Sequence, residues 1–171
     1  MANYKKVTRE QIATYLNVTP EALSPDYEIV GVGITDYGQD YNPQTTTEKW
    51  IIHKNATTTL DGYQIQASAS QACYYGDPVY DFVNDLRRKG SVGSKVETQV
   101  LDIDLYDSTE AGGITTYKAT KYNCAVVITS YAKGENPAIE YDIYYNGDPE
   151  LGTVTINNSG VPTFTPEAGS R

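Results

Sequence analysis

A chain of 171 residues fits one domain with a sizeable core, and its formal net charge of −9 argues against the clustered cationic surface that grips nucleic acid. With 39% hydrophobic residues it carries no apolar run long enough to span a bilayer as a helix. Sixteen tyrosines against two phenylalanines and one tryptophan favour sheets and interfaces, where one edge of the ring stays wet.

In chain order, the polar and basic Met1–Val7 lacks the apolar stretch of a secretory signal, so synthesis and folding are expected in the cytoplasm. Val7, Ile12, Ala13 and Leu16 have a spacing that suggests a short N-terminal helix capped by Thr8. Pro20 and Pro25 interrupt this pattern, and Ile29–Val32 reads as a strand. Residues 36–48 (DYGQDYNPQTTTE) read as a long loop containing Tyr37, Asp40, Tyr41, Asn42 and Pro43. Connections of that length in a compact domain usually carry function.

Strands are expected at Trp50–Ile52 and Leu60–Ala69, the second with Tyr63, Ile65, Ala67 and Ala69 on one face and a bulge at Asp61–Gly62. The clearest helix is Pro78–Lys89: Asp77 caps it, Pro78 opens it and Gly90 follows it. Val79, Phe82, Val83 and Leu86 form its apolar stripe, which predicts packing on a sheet. Strands follow at Val96–Tyr106, Thr116–Tyr131 and Ala138–Tyr145, with turns at 110–113, 133–136 and 146–149. A last hairpin pairs Gly152–Ile156 with Val161–Thr165, ahead of a polar tail at about 166–171.

Signals for chemistry are weak. His53 is the sole histidine, Gly31-Val32-Gly33 lacks the rest of a dinucleotide fingerprint, and Cys73 and Cys124 read as free thiols in a reducing compartment. The triplets at Asn17, Asn55 and Asn157 match the glycosylation pattern without a secretion signal. Asp102 and Asp104 share a strand face, as do Glu140 and Asp142. Paired carboxylates can act as acid and base or bind calcium. Here apolar residues alternate with both pairs, which favours a solvated strand face. No catalytic residue, metal or cofactor is assigned. A tyrosine-rich β-sandwich that binds carbohydrate is the main alternative function, and a carboxylate hydrolase a weaker third.

Several segments, taken in order, carry a resemblance. They are Ala13-Thr14-Tyr15-Leu16-Asn17-Val18, Tyr41-Asn42-Pro43-Gln44-Thr45 leading to Glu48-Lys49-Trp50-Ile51, and Lys54-Asn55-Ala56-Thr57-Thr58-Thr59. Gly76-Asp77-Pro78-Val79 with Phe82-Val83 and Asp85-Leu86-Arg87-Arg88 comes next, then Tyr117-Lys118-Ala119, then Asn146-Gly147-Asp148-Pro149 before Gly152-Thr153-Val154. In this order the chain resembles the major tail tube proteins of long-tailed phages that infect Gram-positive bacteria.

The resemblance implies a mainly β fold, a β-sandwich or half-barrel with one flanking helix, over a single domain 1–171 with an N-terminal arm at about 1–26. It implies rings, commonly hexameric, stacked into a virion tail tube that is assembled in the host cytoplasm and through which the genome passes unbound. Its partners would be itself, the tape measure protein, the tail terminator and the distal tail or baseplate proteins, with no membrane. The inner tube of a contractile tail or tailocin is the nearest variant of this reading. Residues 36–48 become the candidate inter-ring loop, and Asp102, Asp104, Glu140 and Asp142 the candidate lumen acids that repel DNA.

Overall fold

The computed structural model describes residues 4–169. The chain is mainly β, with one α-helix packed against a curled antiparallel sheet. After a single 3-10 turn at Arg9–Gln11 come β1 (Ile12–Asn17), β2 (Tyr27–Ile29), β3 (Gly38–Asp40), β4 (Pro43–Glu48), β5 (Thr57–Tyr63) and β6 (Gln66–Ala72). Helix α1 (Pro78–Lys89) follows, then β7 (Glu97–Ala111), β8 (Ile114–Ala132), β9 (Ala138–Ile156) and β10 (Pro162–Pro166). The main sheet runs β2-β1-β7-β8-β9-β6-β3, with β10 beside the far half of β9; β4 and β5 form a separate two-stranded sheet.

The helix has the boundaries its sequence predicts. The Asp77 carboxylate accepts the Tyr80 N–H at 2.8 Å, and Gly90 ends the helix at φ 59°, a left-handed position that favours glycine. Val79, Val83 and Leu86 are buried, Phe82 is half-buried against the same core, and each full burial contributes about 1.5–3 kcal/mol. Gln71, fully buried on β6, donates from one amide to Val32 O and Asp77 Oδ2, both at 2.9 Å, and so ties the helix cap to the sheet.

Two cores lie on opposite faces of the sheet, because adjacent residues of a strand point opposite ways. Leu16, Val100, Cys124, Val126, Tyr141 and Ile143 build the core under the helix. Tyr15, Leu101, Ile103, Ala119 and Val154, with Tyr27 and Phe164, build the second. At Gly152 a Cβ would stand 2.4 Å from Thr165 O and 2.5 Å from the Phe164 ring, so only glycine lets β10 close on β9 there.

Six expectations are corrected. The strand expected at Ile29–Val32 is β2, Tyr27–Ile29, and Val30–Gly33 is a turn. The N-terminal helix is one 3-10 turn, in which the Thr8 N–H donates to Gln11 Oε1; Ile12–Asn17 is a strand paired with β7, not part of an arm. Pairing wins because β1 is buried on both faces, Tyr15 in one core and Leu16 in the other. The loop at 36–48 is two strands, β3 pairing with β6 and β4 with β5, since four β-compatible residues from Gln44 to Thr47 meet Thr58, Thr59, Leu60 and Gly62 across the ladder. Trp50–Ile52 is the turn of that hairpin, closed by the His53 N–H on Trp50 O at 2.9 Å. The stretch Leu60–Ala69 is broken at Gln64–Ile65, where the chain leaves the hairpin for the main sheet. Asn146–Pro149 does not turn the chain; Gly147, Asp148 and Pro149 bulge out of β9 opposite Tyr122, where a proline's missing N–H is tolerated.

The predicted bulge at Asp61 is present, as the ladder passes from Gly62 to Leu60 across consecutive residues Gln44 and Thr45. Pro166 ends β10, while Ser170 and Arg171 of the expected tail lie outside the described residues. The 19 residues of β8 span roughly 60 Å, and bulges at Leu105–Asp107 and Thr129 bend the long strands.

Candidate functional site

The β4–β5 hairpin stands away from the body. Every residue of β4 is exposed, as is all of β5 except Gly62. Its inner order comes from its own side chains: Thr47 and Thr58 hydroxyls meet at 3.0 Å, and Thr46 donates to Asp61. At the tip Trp50, Ile51 and Ile52 are 62%, 103% and 78% exposed, and Trp50 stacks on His53 with ring centroids 6.0 Å apart. Trp50, His53, Glu48, Asp61, Thr46, Thr57 and Thr59 line a shallow hollow of about 430 Å³ on one face. A two-stranded ribbon with both faces in water is marginal alone, and three consecutive apolar residues at its tip call for a covering surface.

The hairpin's root is polar and jointed. Asn42 takes φ 40°, its N–H donates to Asp40 Oδ1 at 3.2 Å, and its side chain donates to Gln64 O at 3.1 Å. Tyr41 meets Tyr63 edge to face at 5.5 Å. Of the candidate loop residues, Asp40, Tyr41, Asn42 and Pro43 therefore form this root. Tyr37 instead points inward and meets the Tyr145 hydroxyl at 3.2 Å, its own hydroxyl pushed well above the usual tyrosine range by burial and then by Tyr145.

The four candidate acids fall on opposite faces of the sheet. Register puts Asp102 and Asp104 on the face of Tyr141 and Ile143, and Glu140 and Asp142 on the other. Asp102 is half-buried. It accepts from Thr14 Oγ1 at 2.9 Å and from the Gln39 amide, deep in a cleft of about 440 Å³ whose walls also include Arg9, Tyr122 and Asp104. Burial raises its carboxyl above the usual range against the opposing pull of those two hydrogen bonds, and neighbouring Asp104 adds to the rise. Glu140 and Asp142 lie on an open face, with Ser68 donating to Asp142 at 2.6 Å; their cross-strand neighbours Ser70, Val127 and Ser130 are uncharged.

His53 is exposed at the hairpin tip, and Cys124 is buried with its thiol pushed up to about 12 by burial and then by Asp102, which makes it inert. Among the described residues no group of three or more His, Cys, Asp or Glu side chains could hold a metal. Sequence reasoning missed Gln39 and Gln71, whose amides bridge the fold; nothing in their sequence neighbourhood marks them. It also missed the apolar tip, although Trp50-Ile51-Ile52 between Lys49 and His53 is an unusual run for a turn.

The sequence matches no family model and no curated protein. Solved structures do match. The tube-terminating cap of the anti-feeding prophage aligns over 90% of this chain and 95% of its own, at 11% identity and a TM-score of 0.55. The tail of the empty gene transfer agent particle, refined with C6 symmetry, aligns over 85% and 98%, at 11% identity and a TM-score of 0.52. The chain has the fold of a phage-like tail protein. The native gene transfer agent virion gives the same fold at a TM-score of 0.50 and 10% identity, again over 85% of this chain. The mainly β chain with one flanking helix is the architecture that the resemblance in sequence implied.

Proposed function

We propose that the protein is a structural subunit of a phage-like tail tube, self-assembling into rings that stack, in sixes by analogy with the symmetric tail it resembles, around a channel for the genome. The observation that carries this reading is the β4–β5 hairpin. It is a ribbon exposed on both faces with an apolar tip, an arrangement that gains stability only when a neighbour covers it. The inter-ring element is therefore the whole of 43–63 with its tip, and Asp40, Tyr41 and Asn42 are its root. Short edges at β2 and β3 leave backbone groups for pairing between subunits, and closing a ring removes such edges.

The open face bearing Glu140 and Asp142 suits the channel wall, because carboxylates without cations repel phosphate. Asp102, enclosed under Gln39, does not serve there. A tape measure protein within the channel, and a terminator and distal tail proteins at the ends, are the partners such a tube requires.

Electron microscopy and light scattering of the concentrated protein test this. Tubes or stacked rings with a central hole are expected, and replacing Trp50, Ile51 and Ile52 together by Ser should abolish stacking while leaving the monomer's cooperative unfolding intact. A persistent monomer whose Trp50 fluorescence responds to added glycan would instead move the Trp50–His53 platform, with Glu48 and Asp61 beside it, to the sugar-binding reading.

A further inference from the structure

The hairpin shares no backbone ladder with the main sheet, so its direction is set at its two roots: β6, which β5 enters through Gln64–Ile65 and where the Tyr145 N–H holds Ile65 O at 3.0 Å, and the three-residue strand β3 that leads into β4. On one side β3 pairs with β6 through Gly38, Gln39 and Asp40. Its other tie to the body is made by side chains. Gln39 reaches across the curled sheet and its amide nitrogen donates to Asp102 Oδ2 on β7 and to the Tyr145 hydroxyl on β9, the latter at 2.9 Å. Tyr145 in turn meets Tyr37, which flanks β3, at 3.2 Å, and the second Asp102 oxygen accepts from Thr14 on β1 at 2.9 Å. One amide thus joins the root of the hairpin to the middle of the sheet.

We propose that Asp102 and Gln39 form a positioning pair that fixes the direction of the β4–β5 hairpin and thereby the stacking of subunits, an inference that rests on the hairpin's role in assembly proposed above. The pair suits the task. A carboxylate accepts two hydrogen bonds at once, which a neutral hydroxyl at that position could not do with equal strength, and Gln39 can donate only if β3 lies down over the cleft. Asp102 is held there although its burial disfavours the charge, and groups kept against stability in this way commonly serve position. At the joint between Asn42 and Gln64 the ribbon itself is held by weaker ties, among them backbone hydrogen bonds from Gln64 to Tyr41 and Asn42 at 3.2 and 3.4 Å.

Trp50, the single tryptophan, sits at the far end of the lever and reports its motion without a label. Time-resolved anisotropy of Trp50, excited where tyrosine does not absorb, is measured on the full-length monomer at low concentration, and assembly of the same samples is followed by light scattering. In Gln39→Glu, two carboxylates face each other and β3 is pushed from the cleft. Trp50 should gain fast local motion, and the concentration needed for assembly should rise by about tenfold or more, the loss expected when a hydrogen bond to a charged group is removed. In the exchanged pair, Gln39→Glu with Asp102→Asn, the new carboxylate on β3 accepts from the new amide on β7 with the roles reversed, and both readouts should return toward the native values. Unchanged Trp50 anisotropy in Gln39→Glu, or failure of the exchanged pair to restore it while its thermal unfolding matches the native chain, overturns the positioning role. A mobile Trp50 with undiminished assembly upholds the positioning of the hairpin and overturns its part in stacking.

Discussion

At Asp102 the environment works against the ionised form more than for it. Burial outweighs the hydrogen bonds from Thr14 and Gln39, so the folded chain holds this proton to higher pH than the unfolded chain does. The sign follows from linkage: where the native state binds more protons, stability falls as pH rises, here from the ordinary carboxylate range up through the raised value. Denaturant unfolding of the native chain compared with Asp102→Asn should show that extra fall in the native chain only, complete once pH exceeds the raised range. Identical pH profiles would mean that the hydrogen bonds from Thr14 and Gln39 offset the cost of burial in full. The alternation Leu101-Asp102-Ile103-Asp104 was legible as a strand with two faces, yet it suggested that both acids meet water. That failed at Asp102 because the cover comes from Gln39, a residue of a strand distant in sequence, and burial by a distant strand leaves no local mark.

Among the elements, α1 and the β4–β5 hairpin mark the two extremes of local determination. Asp77, Pro78, the stripe from Val79 to Leu86 and Gly90 each specify the helix independently, and they agree. The final hairpin around Asn157–Gly160 was likewise legible, because its turn residues and the alternation on either side point the same way. The β4–β5 hairpin lacks such agreement: a threonine run with no apolar face looks like a loop until its partner strand is known. Few buried contacts and solvent-exposed backbone hydrogen bonds place it at the low end of local stability. Amide hydrogen exchange should find Pro43–Tyr63 nearly unprotected in the monomer while β7 to β9 exchange only by global unfolding. In the assembled state the same amides should become protected, and equal exchange in both states would show that no neighbour covers the ribbon.

For the whole molecule, the proposed tube would give the acidic sheet face bearing Glu140 and Asp142 its role. If Glu140 and Asp142 line the channel, changing both to Lys should leave tube formation intact but make the tubes retain DNA at low salt and release it as salt rises, the signature of phosphate contacts. Tubes that still ignore DNA would place this face elsewhere. The sheet ends on the short strands β2 and β3, edges tolerable in a monomer that the proposed ring would pair.

The sequence by itself determined what nearest neighbours decide. The period of two in β7 and β9, the period near 3.6 in α1, and the turn chemistry at Gly112–Gly113 and Asn157–Gly160 settled a mainly β chain with one helix, since periodicity and backbone preference act within a few residues. Tertiary structure alone decided that Ile12–Asn17 joins the sheet, that the residues from Gln44 to Thr47 pair with β5, that Asn146–Pro149 bulges instead of turning, and that Gln39 closes over Asp102. Each of these depends on a partner outside the local sequence window, far along the chain except for the β4–β5 hairpin, and the pairing energy exceeds the weak local preference it overrides.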